Sequence, residues 1–334
     1  MSRVLIIFFS LTLGSCLDQY PQAPTSPNEQ RAVDFVTSLV NPASGLVASR
    51  PGECFTTVYK NSLAAMVFLH QGNHHAAEAI LDRFDEYLTK LSMMMNPLPF
   101  RGFPKDWDAC TGEPTNENYW EGDNAFLLLA LNYHSSVSHN TTKYKQLRSE
   151  LVSWLVQRSM VCETIVAEGT ANMYAALIPH SSDPAVAQAL THLKACFEAT
   201  VDYAQVLDHT VRGALVFNNL TGFDHVDKFQ RTETWVYNNI PIEAYSAFSG
   251  ESFINVEISA QLSLTATLTD RGSQVPKLRS ELEKLWLTQE NGRQAGLPYF
   301  ITNVGFDQSA TLPIIDPTAY MLFGYWKFNP FTGQ

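Results

Sequence analysis

The sequence predicts an all-α protein, a closed (α/α)6 toroid of inner and outer helices. Three observations carry this. Nearly all-apolar helical stretches alternate along the chain with amphipathic ones. No stretch has the period-2 alternation of a half-buried strand. A polar, aromatic-rich segment precedes each apolar stretch. A simple bundle does not need the alternation. A toroid does, because its inner helices touch neighbours on all sides while its outer helices face water on one.

Taken in order, residues 30–40 read as an amphipathic helix with Ala32, Phe35, Val36, Leu39 and Val40 on one side. Residues 57–69 are nearly all apolar, and Gly72-Asn73 ends that helix. Residues 75–91 are amphipathic, with charges at Glu78, Asp82, Arg83, Asp85 and Glu86. The couplet recurs as 124–133 (apolar) with 143–157 (amphipathic), and as 169–178 with 184–207. Asp183 caps the helix that opens at Pro184, whose ring fits a first turn. Residues 234–248 are the fourth inner candidate, kinked or split by Pro241. Residues 256–268 are apolar and 275–287 are charged and amphipathic. The last inner helix, 319–326, has no following partner, and the helix at 30–40 supplies one by closing the ring.

The first residues read as a processing signal. Arg3 precedes a short apolar run from Val4 to Leu13, and Leu13-Gly14-Ser15-Cys16 is similar to a bacterial lipobox. The expected organisation is a lipoprotein signal peptide over 1–15, lipidation at Cys16, a proline-rich tether over 16–28 and a toroid over 29–334. That makes the protein exported and held on a membrane by acyl chains, in the periplasm or at the cell surface. Export permits disulfides among Cys54, Cys110, Cys162 and Cys196, which allow three pairings. Cys54 and Cys110 both sit in expected loops before inner helices, which favours that bridge.

Hydrophobic residues make up 45% of the 334 and charged residues 16%, enough for a large core. The net charge of -11 argues against nucleic acid, which needs clustered Lys and Arg. It also argues against an anionic substrate unless a local basic patch serves one. No Cys pair has zinc-site spacing, and no HExxH, P-loop, GxSxG or dinucleotide fingerprint occurs, so neither a metal nor a cofactor is expected.

In a toroid the N-termini of all inner helices open on one face, so the segments preceding them converge there. They bring rings and carboxyls together, which suits carbohydrate. Glycoside hydrolysis needs two carboxyls, one to protonate the leaving oxygen and one to serve the other side of the sugar. Glu168 is the best acid candidate, beside small residues that leave room for substrate, with Glu257 similar. Glu121 and Asp123 flank Gly122 as candidates for the base. Each also reads as an ordinary helix-start carboxylate, and Asp316 reads first as an N-cap. Candidate substrate-binding residues are Tyr59, Lys60, Trp120, Asn124, Tyr174, Trp235, Gln261 and Tyr320.

At these segments the chain resembles an exported branch of the six-hairpin glycosidase-like superfamily. The segments are Tyr59-Lys60-Asn61-Ser62-Leu63-Ala64, Gly122-Asp123-Asn124-Ala125-Phe126, Glu168 to Ala175, Glu257 to Gln261, and the ending Asn329-Pro330-Phe331. The resemblance covers most of the chain after the tether. It implies a glycoside hydrolase acting on an oligosaccharide or polysaccharide. Lys60 and Asn172 stand where the superfamily usually has Asp, and Gly169 where it has His. Those departures keep a second function open, a non-catalytic glycan-binding or polysaccharide-assembly lipoprotein on the same scaffold.

Overall fold

A computed structural model describes residues 26–93, 99–162, 167–235, 237–275, 277–289, 292–301 and 311–334. The expected signal peptide, Cys16 and the tether up to residue 25 lie outside the described residues. The tether's last two positions, Pro27 and Asn28, begin helix α1 (Pro27–Ser38), capped by the Ser26 side chain on the Glu29 amide.

Among the described residues, six helices form a closed inner ring: α2 (Val58–His70), α4 (Glu121–Val137), α6 (Ala167–Leu177), α8 (Leu207–Phe217), α9 (Val256–Leu268) and α11 (Ile315–Trp326). Each packs on the next, and α11 returns to α2. Their apolar runs are buried all round, as in Leu63 to Leu69 of α2 and Ala125 to Leu131 of α4. Outside them, α3 (His74–Ser92) packs on α2, α5 (Lys145–Arg158) on α4 and α7 (Pro184–Thr200) on α6. Buried Ala77, Ile80, Leu81, Phe84 and Leu88 give α3 one apolar stripe at helical spacing. α10 (Leu278–Leu282) packs on α9, and α1 packs on α11, which closes the outer ring. The Trp326 indole donates to Glu29 across that last contact.

Three expectations fail. The segment 234–248 is not an inner helix but part of an antiparallel hairpin, β4 (Gln230–Trp235) with β5 (Ile240–Tyr245). Pro241 lies on β5, opposite Thr234. The fourth inner helix is α8, which was not expected: only its first residue, Leu207, fell within the expected outer helix 184–207, and α7 ends at Thr200. A 3-10 stretch, Thr221–Phe229, and the hairpin take the place of the fourth outer helix. Lastly, 275–287 is helical only over α10, flanked by 3-10 turns at Gly272–Gln274 and Glu283–Leu285. Pro276 disfavours a helical residue before it, and Val275 has ψ 56.

Short strands edge the upper face. β1 (Phe55–Thr57) pairs with β2 (Asp106–Asp108), which pairs with β3 (Glu113–Pro114). β6 (Ile254–Asn255) pairs with β9 (Phe300–Ile301), and β7 (Leu287–Thr288) with β8 (Ala295–Gly296). Disulfides join Cys54 to Cys110 beside β1 and Cys162 to Cys196 on α7. At the lower end the Asn329-Pro330-Phe331 turn tucks under the ring. Asn329 donates to the Leu215 carbonyl of α8, and the Phe331 ring meets Phe126 edge-on at 5.5 Å.

Candidate active site

A cleft of about 880 Å³ opens where the inner helices begin. Every inner helix sends a carboxylic acid or a lysine from its first turn into it: Lys60 from α2, Asp123 from α4, Glu168 from α6, Asp208 from α8, Glu257 from α9 and Asp316 from α11. Five are acids and one is a base. Local caps set some of these starts, Thr57 on the Lys60 amide of α2 and Asn255 on the Ile258 amide of α9. Helix N-termini carry positive partial charge, so the convergence favours acids. Trp120, Lys105, Phe55, Phe248 and Tyr299 also line the walls.

One hydrogen-bond chain crosses the floor. Tyr59 Oη donates to Glu257 Oε1 at 2.8 Å and lies 2.9 Å from Tyr320 Oη. Gln261 Nε2 donates to the same Glu257 oxygen at 3.1 Å, and Gln261 Oε1 accepts from Arg212 Nη1 at 3.1 Å. Arg212 Nη2 sits 3.3 Å from both Glu168 Oε1 and Asp208 Oδ1. Beneath it the guanidinium lies 4.9 Å from the Phe331 ring. Lys60 Nζ pairs with Asp316 Oδ2 at 3.2 Å.

Burial dominates the acid–base behaviour of this floor. It pushes Glu257 up to about 8, with neighbouring Asp316 adding to the rise. Burial likewise lifts Asp123 to about 7 against the pull of Lys105, and Asp208 to about 7 against Arg212. Asp316 rises from burial despite Lys60. Burial opposes the Arg212 charge, but Asp208 outweighs it and the guanidinium stays charged. The Glu257 charge, then burial, raises the Tyr299 phenol, which also donates to Glu257. The site therefore combines a Glu257 carboxyl raised by burial with an arginine-paired Glu168. One oxygen each of Asp123, Asp208 and Asp316 is buried without a hydrogen-bond partner.

The sequence matches no protein-family profile and no curated protein. Solved structures do match over nearly the whole fold. A glycosidase in complex with glucose superposes with TM-score 0.66 at 10% identity, covering 90% of this chain and 96% of the other. An α-amylase from Clostridium perfringens gives 0.63 at 10% identity, over 92% and 99%. A D-mannose isomerase gives 0.60 at 10% identity, over 92% and 98%. This chain shares the (α/α)6 toroid fold of these structures.

The toroid brings together only part of the expected site. Glu168, Glu257, Asp123, Tyr59, Lys60, Trp120 and Gln261 line the cleft, and Tyr320 lies buried just beneath it on Tyr59. Glu121 does not join them: its carboxylate pairs with Arg158 of outer helix α5. Asn124 is structural, its amide accepting from the Phe103 amide at 2.7 Å and donating to the Phe103 carbonyl at 3.0 Å. Tyr174 packs against Phe217 at 4.7 Å, away from the cleft. Trp235 is buried on the hairpin and stacks on Tyr237, because the helix expected to carry it to the rim is a strand.

Missed altogether were Asp208, His209 and Arg212, since α8 itself was not recognised. Their signal was present: an Asp and an Arg four residues apart within the segment 207–217, whose remainder is apolar but for His209 and Thr210. Such a pair on one helix face makes sense in a buried helix only if it serves a polar interior. Asp316 was noticed but read as a cap; the cap position is Ile314, and Asp316 is a buried cleft acid. Lys105 lies 4.6 Å over the Trp120 ring, fixing that indole at the wall.

Proposed function

We propose that the cleft binds carbohydrate and cleaves a glycosidic bond by carboxyl acid/base catalysis. One observation carries this reading. Glu257 and Glu168 face the same cleft, Glu257 buried with its carboxyl pushed up to about 8 and Glu168 beside the cationic Arg212. Glu257 gives its proton to the glycosidic oxygen as the bond to the anomeric carbon breaks. Glu168 serves that carbon's developing positive charge and, directly or through water, supplies the nucleophile. This reverses the expectation that Glu168 is the acid. Trp120 offers a ring face for a sugar, held by Lys105.

Hydrolysis is favoured over proton abstraction from a sugar, although solved neighbours include an isomerase. His209 lines the cleft, but its Nδ1 is engaged by the Asp202 backbone, 2.8 Å from the amide nitrogen and 3.2 Å from the carbonyl oxygen. A second reading, glycan binding without turnover, draws support from Lys60, whose pairing ties up Asp316.

The test is a glycan panel assayed for new reducing ends, with binding followed in parallel by calorimetry. Wild type should release product, and Glu257→Gln and Glu168→Gln should each lose at least about 100-fold in kcat. Binding without product selects the second reading. Neither binding nor release by wild type, or full activity in both variants, overturns the assignment.

Export and lipid anchoring through Cys16 belong to the same proposal. Two disulfides support an oxidising compartment. No helix among the described residues is long and apolar enough to cross a membrane. Cys16→Ser should move the protein from the membrane to the soluble fraction and abolish labelling by a fatty-acid analogue. Unchanged partitioning and labelling refute the anchor.

A further inference from the structure

A second cavity, of about 470 Å³, lies at the opposite end of the toroid, where the inner helices finish. Its volume is that of a small-molecule site. Arg148 of α5 lines it and is only 9% exposed. Its Nη2 donates to the Thr141 carbonyl, while Nη1 is buried without any hydrogen-bond partner. No acidic group among the described residues pairs with it, in a chain whose net charge is -11. Every other buried cation of the cleft floor has a carboxylate: Lys60 has Asp316, and Arg212 has Asp208 and Glu168. Withdrawing an arginine from water without a counter-charge is costly, and buried charges are normally paired.

Among the described residues, no acidic side chain lines the cavity. His180 lines the cavity with Nε2 3.0 Å from Asn132 Oδ1, an amide oxygen that accepts from a neutral ring. The hydroxyls of Ser136 and Thr141 are at the wall. Phe331 closes the inner side, and the other face of that plug carries Arg212 of the cleft. The two cavities are back to back, each with an arginine, but only the upper arginine is neutralised by the protein.

We propose that the lower cavity is a separate binding site for a small organic molecule bearing a carboxylate or phosphate, whose oxyanion pairs with Arg148. A guanidinium reads both groups through parallel N–H donors, so the shared chemistry is a planar or tetrahedral oxyanion. The site is independent of what the cleft does.

The test uses the full chain in calorimetric titration at fixed ionic strength. The probes are glucuronate, glucose 6-phosphate, inorganic phosphate and, as the neutral control, glucose. Saturable binding of glucuronate or glucose 6-phosphate is expected, and the stronger of the two identifies the anion. Arg148→Met should weaken it about 10-fold or more. Ser136→Trp, which leaves Arg148 in place and fills the cavity from its exposed edge, should weaken it comparably if Arg148→Met fails to fold. Trp120→Ala, in the cleft, should leave it unchanged. Four results overturn the proposal: no binding of either organic anion, a response matched by sodium chloride, binding retained in both lower-cavity variants, or loss in Trp120→Ala.

Discussion

Glu257 ties the electrostatics of single residues to a measurable pH profile. A general acid works only while protonated, so kcat/KM should fall as pH rises through about 8. Its neighbours move that limb in opposite directions. Tyr59 donates to the carboxylate form and lowers the Glu257 pKa, so Tyr59→Phe should shift the alkaline limb upward. The Asp316 charge raises it, so Asp316→Asn should shift the limb downward, each by on the order of one pH unit. Shifts of the same sign in the two variants would remove Glu257 from the acid role. The same burial has a stability cost with a definite sign. Folded Glu257, Asp123 and Asp208 hold protons that their unfolded forms release near pH 4 to 5. The folded state then binds more protons, so stability falls as pH rises from about 4 to about 7 for the two aspartates and to about 8 for Glu257, by up to ~1.4 kcal/mol per unit for each group. Glu257→Gln should flatten that fall and melt higher than wild type at pH 8, in thermal scans, while losing activity. At this scale the sequence disclosed Asp123, Glu168, Glu257 and Asp316 at inner-helix starts, but not Asp208. It did not disclose which way each carboxyl faces. Asp123 and Glu121 are two residues apart at one helix start, yet one enters the cleft and the other pairs with Arg158.

Elements were legible wherever burial had one period. Residues 256–268 are helical over the whole span expected, and α2, α3 and α5 begin within two residues of expectation. The pattern misled where it changed within a few residues. Along β4, Glu233 and Trp235 turn inward while Thr232 and Thr234 face out, and Asn239 adopts φ 56 in the turn. Thr-rich alternation and the Asn238-Asn239 pair were strand and turn signals, overridden by an apolar content that also suits a helix. α8 was hidden because α7 and α8 are joined by only six residues, 201–206, with no proline or glycine among them. The 3-10 stretch after α8 reaches it through Gly222. A Cβ there would meet Thr210 Oγ1 at 2.4 Å and Thr210 Cα at 2.8 Å. Gly222→Ala must push α8, which holds Asp208 and Arg212, and should cost about 1–3 kcal/mol in chemical denaturation. A variant as stable as wild type would show that this contact tolerates a methyl group.

For the molecule as a whole, the toroid is closed twice, at its seam by α1 and at its lower end by Phe331, and the two closures do different things. Phe35 of α1 is fully buried, and its ring lies 2.8 Å from where a Cβ on Gly296 would stand. It touches no cleft residue's hydrogen-bond chain. Phe331 is equally buried, but it supports Phe126 on one side and the Arg212 guanidinium on the other. Truncating either ring removes a large apolar contact and leaves a cavity, so Phe35→Ala and Phe331→Ala should each lose about 3–5 kcal/mol of stability. Only the second should disturb Arg212, which bridges Glu168 to Gln261 and through it Glu257. At a temperature where both variants remain folded, Phe35→Ala should keep the wild-type pH profile and glycan affinity. Phe331→Ala should alter both, because the cation that sets the charge balance of the cleft has lost its floor. Circular dichroism melts together with titration of the cleft ligand separate the two effects. Equal losses of stability with identical cleft behaviour would mean that Phe331 is a plug and nothing more, and that Arg212 is held by its carboxylates alone.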